Sequence, residues 1–165
     1  MRSEVESADR IDVVMAFIRR SGIAPLVDVL RRHCEHGRSL RVLTTTYTGS
    51  TEQAALDRLV DLGADVRVSY DLSTTRLHAK AWVFHRGSGF STAYVGSSNL
   101  THSAQVTGVE WNVRASAARN PDVLGKFAAV FDSYWSNGDF LPYDAEQFVA
   151  EQQRAGRTDS GPHVI

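Results

Sequence analysis

The sequence is poor in cysteine and in long apolar runs, and each scarcity excludes a class of protein. The single cysteine, Cys34, cannot form a disulfide within the chain, which predicts a reducing, cytoplasmic location. No apolar run reaches the roughly 18 residues of a membrane span, and the first residues show no signal-peptide pattern. The sequence contains no internal repeat and no Walker-type phosphate loop, so we expect no nucleotide-driven motor.

Lysine is also scarce, because sixteen of the eighteen basic residues are arginine. The net charge is −1, so any nucleic-acid binding must come from a local basic patch and not from the overall field. One of the two lysines is Lys80. A lysine in a chain that otherwise uses arginine favours a compact point charge at that position, with chance retention as the alternative.

The length and composition are those of an ordinary globular domain, with 165 residues of which 42% are hydrophobic and 22% charged. The first half alternates strands and helices, which predicts parallel strand pairing in an α/β fold. The predicted strands are 11–18, 40–47 and 66–70. One helix is predicted at 22–36, with Pro25 in its first turn and Gly37 as its stop. A second is predicted from a capping box of Ser50 and Gln53 to Leu62, ended by Gly63.

The pattern changes after Leu77 to short strands joined by short connections. These strands are predicted at 78–84, 92–95 and 109–113, and a closing helix runs from Pro121 to about Ser136. We expect one domain over residues 1–143. Residues 144–165 are expected to form a helical extension that ends in a polar, disordered tail after about Gln153.

Three polar segments in this second half carry the candidate chemistry. His78 and Lys80 are two residues apart on a predicted strand, so their side chains share one face. The turn after the next strand offers small residues and hydrogen-bond donors for phosphate oxygens, namely Ser97, Ser98 and Asn99. Glu110 is a charged residue between apolar neighbours. A nitrogen nucleophile beside a fixed cation and a donor-rich turn favours attack on a phosphodiester.

The order of these segments resembles the active-site signature of the phospholipase D superfamily, HxK(x)4D followed by GSxN. The matching residues are His78, Lys80, Gly96, Ser97, Asn99 and, downstream, Glu110. Over roughly residues 8 to 143 the sequence is similar to the phospholipase-D-like module at the N-terminus of certain bacterial DEAD/DEAH-type helicases. The resemblance implies an α/β fold with a mixed β-sheet flanked by helices on both faces.

The resemblance also implies a role for each matched residue. His78 is expected to be the nucleophile that forms a phosphohistidine, which water later hydrolyses. Lys80 and Asn99 are expected to hold the non-bridging phosphate oxygens, and Glu110 to orient His78. Ser97 and Ser98 are expected to bind substrate, with an ordinary turn role as the alternative for each. The mechanism requires no metal and no cofactor.

The sequence departs from the signature at residue 85, where His85 replaces the aspartate. By strand alternation His85 lies on the face opposite to His78, so we expect the substitution to affect local stability more than the reaction. The same alternation argues against a metal site formed by His78, His85 and His102, and no Cys/His ligand spacing is present.

A single HxK motif supplies one histidine, whereas the superfamily's mechanism uses a nucleophile and a general acid. Superfamily members with one motif pair two copies across a two-fold axis, so the resemblance implies a homodimer with a shared site. Coupling between the two imidazoles would keep one neutral and one protonated, which predicts a bell-shaped pH profile.

The expected substrate is DNA, because the resemblance is to helicase-linked modules and no amphipathic interfacial helix is predicted. Candidate phosphate-binding residues are Arg19, Arg20, Arg31, Arg32, Arg38 and Arg76. A solvated helix face is the alternative for Arg31 and Arg32. The sequence thus predicts a DNA nuclease or DNA-end-processing enzyme. Two other functions stay open: a weakly catalytic DNA-binding or docking module, and a phospholipase acting on lipid.

Overall fold

A mixed β-sheet organises the chain. The computed structural model describes residues 1–16, 18–45, 51–70, 81–96 and 112–160. Within these residues the sheet has seven strands in the order β6-β5-β4-β1-β2-β3-β7. The strands are β1 (Arg10–Val14), β2 (Ser39–Thr45), β3 (Asp65–Ser69), β4 (Ala81–His85), β5 (Thr92–Gly96), β6 (Asn112–Ser116) and β7 (Phe140–Pro142). Strands β1, β2 and β3 are parallel, as predicted, and the other neighbouring pairs are antiparallel.

Helices cover both faces of this sheet, which confirms the predicted architecture. They are α1 (Arg2–Ser7), α2 (Arg20–Ile23), α3 (Val27–Glu35), α4 (Gln53–Leu62), α5 (Pro121–Ser136) and α6 (Ala145–Ser160). The main core lies on the face covered by α1, α3, α4 and α6, where Leu30, Leu56 and Phe148 pack with strand residues. On the opposite face, Phe131 of α5 packs with Val14 and Leu43. Among the described residues, no helix is both long and apolar enough to cross a membrane.

The helix predicted at 22–36 is interrupted. A short helix ends at Ile23, a 3₁₀ turn spans Ala24–Leu26, and the longer helix α3 begins only at Val27. Pro25 lies in the 3₁₀ turn, where its missing N–H and its restriction on the preceding residue disfavour a continuous α-helix. The predicted stop is confirmed, because Gly37 follows the helix with a φ of 74°.

Helix α4 begins differently from the prediction and ends as predicted. Its N-cap is Glu52, with no side-chain capping bond, so the capping box of Ser50 and Gln53 was a wrong prediction. Ser50 itself lies outside the described residues. At the other end Gly63 adopts a φ of 117° and terminates the helix. The end of this helix is thus fixed by the backbone freedom of a glycine, while its start has no side-chain cap.

The later strands extend past their predicted ends. The described part of β4 ends at His85 where Phe84 was predicted, and β6 ends at Ser116 where Val113 was predicted. Residues 78–80 and 109–111 of these predicted strands lie outside the described residues. The register places Gly96 opposite Asn112 and Thr92 opposite Ser116, so β6 is paired with β5 up to its last residue. The closing helix α5 has the predicted bounds.

The C-terminal segment contributes to the main core. A disordered tail after about Gln153 stays a prediction, and helix α6 spans Ala145–Ser160. Its residue Phe148 is fully buried in the main core, and the Phe148 ring lies against Tyr143. The Tyr143 hydroxyl donates to Asp57 Oδ1 on α4 at 2.7 Å. These contacts give the segment an apolar anchor that composition alone did not indicate.

Candidate active site

Several strand ends meet at one end of the sheet, which we call the carboxyl end because β1, β2 and β3 finish there. Ala81, the first described residue of β4, is paired with Val14 of β1 and with Val95 of β5. Gly96 at the end of β5 is paired with Asn112 at the start of β6. In open α/β sheets, ligands bind in the crevice outside the carboxyl ends of the strands. The carboxyl end is therefore the expected location of a ligand-binding site in this sheet.

The sequence motifs are joined directly to these strand ends. Lys80 precedes Ala81, Ser97 follows Gly96, and Glu110 is separated from Asn112 by one residue. The predicted catalytic and substrate-binding residues themselves lie outside the described residues: His78, Lys80, Asn99, Glu110, Ser97 and Ser98. The sheet thus brings the flanks of all three motif segments to its carboxyl end.

A buried hydroxyl holds together the segments that follow β1 and β2 at this end. Thr51 is 1% exposed, and its Oγ1 is 2.9 Å from the carbonyl oxygen of Ala16 and 3.1 Å from that of Thr45. It also accepts the Ile18 N–H at 3.4 Å. The neighbouring Glu52 N–H donates to the Ile18 carbonyl at 2.9 Å. The segment that leaves β1 is thereby fixed against the segment that leads into α4.

Two further hydroxyl groups lie at the carboxyl end without a hydrogen-bond partner among the described residues. They are the buried Oγ1 of Thr45, which ends β2, and the buried hydroxyl of Tyr70, which follows β3. Burial raises the pKa of Tyr70 to about 12, with Glu151 and Asp144 acting in the same direction. The phenol therefore stays protonated at neutral pH.

The far end of β4 carries a cluster of charged side chains, which we call the Asp12 cluster. His85 Nε2 donates to Asp12 Oδ2 at 2.9 Å, and Arg10 Nη2 lies 3.4 Å from His85 Nδ1. Asp12 also accepts from Arg41 Nε at 2.9 Å and from Arg41 Nη2 at 3.0 Å. Arg41 Nη2 in turn donates to Asp132 on α5 at 3.0 Å. The cluster therefore connects β1, β2, β4 and α5.

The electrostatics of the Asp12 cluster keep its central carboxylate ionised. Asp12 is 1% exposed, and burial raises its pKa; hydrogen bonds from His85 and Arg41 more than offset this and place the pKa below its ordinary value of 3.8. The Arg41 guanidinium also lies over the Phe131 ring, 4.7 Å from its centroid. This cation–π contact helps to hold the Arg41 guanidinium beside Asp12.

Comparison with known sequences identifies the family. A sequence profile described as "Cardiolipin synthase, PLD-like domain" matches residues 2–135. The chain belongs to this phospholipase D-like family. Members of the phospholipase D superfamily are phosphodiesterases. No curated protein sequence matches the chain.

Solved structures agree on the phospholipase D-like fold. Nuc from Salmonella typhimurium, a phospholipase D family member, is similar with a TM-score of 0.63 and 19% identity, over 86% of this chain and 87% of Nuc. Polyphosphate kinase from Porphyromonas gingivalis is similar with a TM-score of 0.55 and 15% identity, over 80% of this chain but only 23% of the kinase. At these identities the likeness concerns the fold alone.

Seen within the phospholipase D-like family, residue 85 has an unexpected partner. His85 stands where the signature has an aspartate, and the structure supplies a carboxylate from the neighbouring strand, at Asp12. Sequence reasoning missed Asp12 and Arg41. A signal was present, because Asp12 is a lone charge in an apolar run, which is the feature that singled out Glu110.

The candidate phosphate-binding arginines that the structure describes lie at different places in the fold. Arg19 and Arg20 are exposed and follow β1 at the carboxyl end. Their backbone is held there, because the Arg20 N–H donates to Glu52 Oε1 at 2.9 Å and Ile18 is bonded to Thr51. These two guanidinium groups therefore extend from an anchored segment beside the strand ends that flank the motifs.

The other described candidates are engaged elsewhere. Arg31 of α3 pairs with Asp61 at 3.3 Å, and Arg32 pairs with Glu6 at 3.7 Å. Arg38 donates to the Glu6 carbonyl oxygen at 3.3 Å and directly precedes β2, at the end of the sheet opposite to the carboxyl end. Arg76 lies outside the described residues. The three described arginines are thus tied into local pairs away from the motif flanks.

Proposed function

We propose that this chain is a phosphodiesterase that cleaves DNA through a phosphohistidine on His78, without a metal or cofactor. The observation that carries the proposal is the meeting of three strand ends at the carboxyl end of the sheet, at Ala81, Gly96 and Asn112. The HxK, GSxN and glutamate segments adjoin those ends in the sequence. Membership of a phospholipase D-like family supports the same chemistry.

In this proposal an imidazole nitrogen of His78 attacks phosphorus and displaces one ester oxygen. Lys80 and Asn99 stabilise the charge on the non-bridging oxygens, and Ser97 and Ser98 add donors. Glu110 accepts the other ring N–H of His78 and fixes its tautomer. Water then attacks the phosphohistidine and restores the free imidazole.

A second histidine is needed as the acid that protonates the leaving oxygen. The chain has one HxK motif, so the proposed active form is a homodimer in which the partner subunit's His78 supplies this proton. After cleavage the same imidazole accepts a proton from the attacking water, which restores the protonated imidazole that began the reaction.

DNA is the proposed substrate because the exposed Arg19 and Arg20 extend from the anchored segment at the carboxyl end. Guanidinium groups at this place suit phosphates that flank the scissile one along a strand. Processing of DNA ends and association with a helicase motor belong to the same proposal and rest on the sequence resemblance. A cytoplasmic location is also proposed, and it rests on the single cysteine.

Lipid is the second candidate substrate, and one observation favours it. The description of the profile that matches residues 2–135 names cardiolipin synthase, and this name indicates phospholipid chemistry. The proposed histidine chemistry is the same for a lipid phosphodiester, so the two substrates differ only in what binds the rest of the molecule.

The catalytic proposal is tested with a bis-aryl phosphodiester in EDTA. We expect the wild-type chain to release the aryl alcohol and His78→Ala to fall to the background rate. His36→Ala is the matched control, because His36 is exposed and follows α3, away from the carboxyl end. This control is expected to retain full activity.

Substrate class is tested in parallel with a labelled single-stranded oligonucleotide and with vesicles that contain a labelled phospholipid. Cleavage of the oligonucleotide alone supports the proposal, and headgroup release alone supports the lipid candidate. No turnover of any substrate at any pH, with the chain folded, would reject the enzyme in favour of a binding or docking module.

A further inference from the structure

Strand β4, which directly follows the HxK motif in the sequence, is held at its far end by the Asp12 cluster. His85 is the last residue of β4, and Lys80 directly precedes the described part of that strand. The backbone of β4 pairs with β1 over the whole of both described strands, from Arg10 opposite His85 to Val14 opposite Ala81. The position of β4 relative to β1 therefore fixes the point, at Ala81, to which the HxK segment is joined.

The charges of the Asp12 cluster are balanced. Two guanidinium groups, from Arg10 and Arg41, face two carboxylates, from Asp12 and Asp132. The imidazole of His85 lies between Asp12 and Arg10 and contacts both. Because Asp12 is 1% exposed, water cannot compensate for the loss or gain of a charge at this position.

One donor in the cluster is unused. Arg10 Nε is buried and has no hydrogen-bond partner among the described residues, although it lies 3.7 Å from Asp12 Oδ2. A short acceptor at residue 85 would lie beside it, since Arg10 and His85 are directly opposite in the β1–β4 register. The cluster thus accommodates a carboxylate at residue 12 or at residue 85, but its charge balance allows only one.

We propose that Asp12 is a positioning residue for strand β4, which directly follows His78 and Lys80 in the sequence, and that its carboxylate takes the place of the signature aspartate that His85 has replaced. This inference rests on the proposed function of His78 and Lys80. It has a counter-intuitive consequence: restoring the family signature by His85→Asp is harmful while Asp12 is present, because a second carboxylate then lies beside the buried Asp12.

The test is a double-mutant cycle of Asp12→Asn, His85→Asp and the combined variant. Each single variant is expected to lower Tm by about 5 °C, since it changes the charge at or beside the buried residue 12. At a temperature where each variant is folded by circular dichroism, kcat for the bis-aryl phosphodiester is expected to fall by about 10²-fold with little change in KM, as a misplaced catalytic group would cause. The combined variant restores one carboxylate and is expected to recover most of both losses.

Asp61→Asn is the matched control, because it removes an exposed carboxylate from an ion pair with Arg31. This variant should change neither Tm nor kcat. Additive losses in the combined variant would overturn the inference, as would a gain in stability or activity from His85→Asp alone. If the wild-type chain has no activity, the proposed function fails, while recovery of Tm in the combined variant still tests the carboxylate exchange. Recovery of Tm without recovery of kcat would leave Asp12 structural and reject its positioning role.

Discussion

Arg19 and Arg20 differ from the other described candidate arginines in their surroundings. Both are exposed beside the carboxyl end, and the Arg20 N–H is bonded to Glu52. Arg31, in contrast, pairs with Asp61 on a helix surface. The sequence left a solvated helix face open for Arg31, and the fold places that arginine in a local ion pair, whereas Arg19 and Arg20 lie at the end of the sheet where we propose that substrate binds.

We therefore predict that Arg19→Ala together with Arg20→Ala weakens binding of a single-stranded oligonucleotide. Each lost phosphate contact should reduce the slope of log K against log salt by about 0.7. The measurement is fluorescence anisotropy across a salt series with the His78→Ala chain, so that cleavage does not interfere.

Arg31→Ala is the control for this prediction and should leave both affinity and salt slope unchanged. An unchanged slope in the Arg19/Arg20 variant, or an equal loss in Arg31→Ala, would contradict the assignment of the binding surface.

Helix α4 shows how one glycine can decide the path of an element. Gly63 ends the helix with a φ of 117°, and a Cβ built there would lie 2.7 Å from Cys34 Cβ on α3. The close approach lets α3 and α4 pack side by side. Gly37 ends α3 with a φ of 74°, and a Cβ built there would meet nothing within 4 Å.

We predict that Gly63→Ala destabilises the chain more than Gly37→Ala. Left-handed backbone costs an alanine about 1–2 kcal/mol, which is the whole effect expected at Gly37. At Gly63 the contact with Cys34 adds to this strain, and the φ lies farther from the left-handed minimum. Urea unfolding monitored by circular dichroism gives both values.

Gly37→Ala is the internal reference, because both glycines follow a helix on the same face of the sheet. Equal losses of stability in the two variants would show that the contact with Cys34 relaxes without cost.

The assembled molecule is predicted to be a dimer with a shared site. Light scattering should give twice the chain mass of 18.2 kDa. Mixing wild-type chains with an excess of His78→Ala chains, under conditions of subunit exchange, should lower the activity per wild-type chain, because each mixed dimer lacks one of two required histidines.

Mixing with His36→Ala chains is the control and should leave the activity per wild-type chain unchanged. A stable monomer with full activity would contradict the shared site, as would an activity that ignores added His78→Ala chains.

The fold class followed from local patterns. Alternating strands and helices predicted the parallel pairing of β1, β2 and β3, and glycines predicted the ends of α3 and α4. These signals are encoded within a few residues, so sequence reading reaches them. The register between strands is not encoded in this way: β6 lies with Asn112 opposite Gly96 and Ser116 opposite Thr92, a pairing of β5 with β6 that no local pattern predicts.

The sequence by itself determined the family and the chemistry that its motifs favour, because HxK and GSxN are short, ordered patterns that survive without knowledge of the fold. Only the tertiary structure decided that the three motif flanks share the carboxyl end and that His85 pairs with Asp12, a residue 73 positions away. A contact at that separation depends on which strands become neighbours, and no local spacing encodes the order of strands in a sheet.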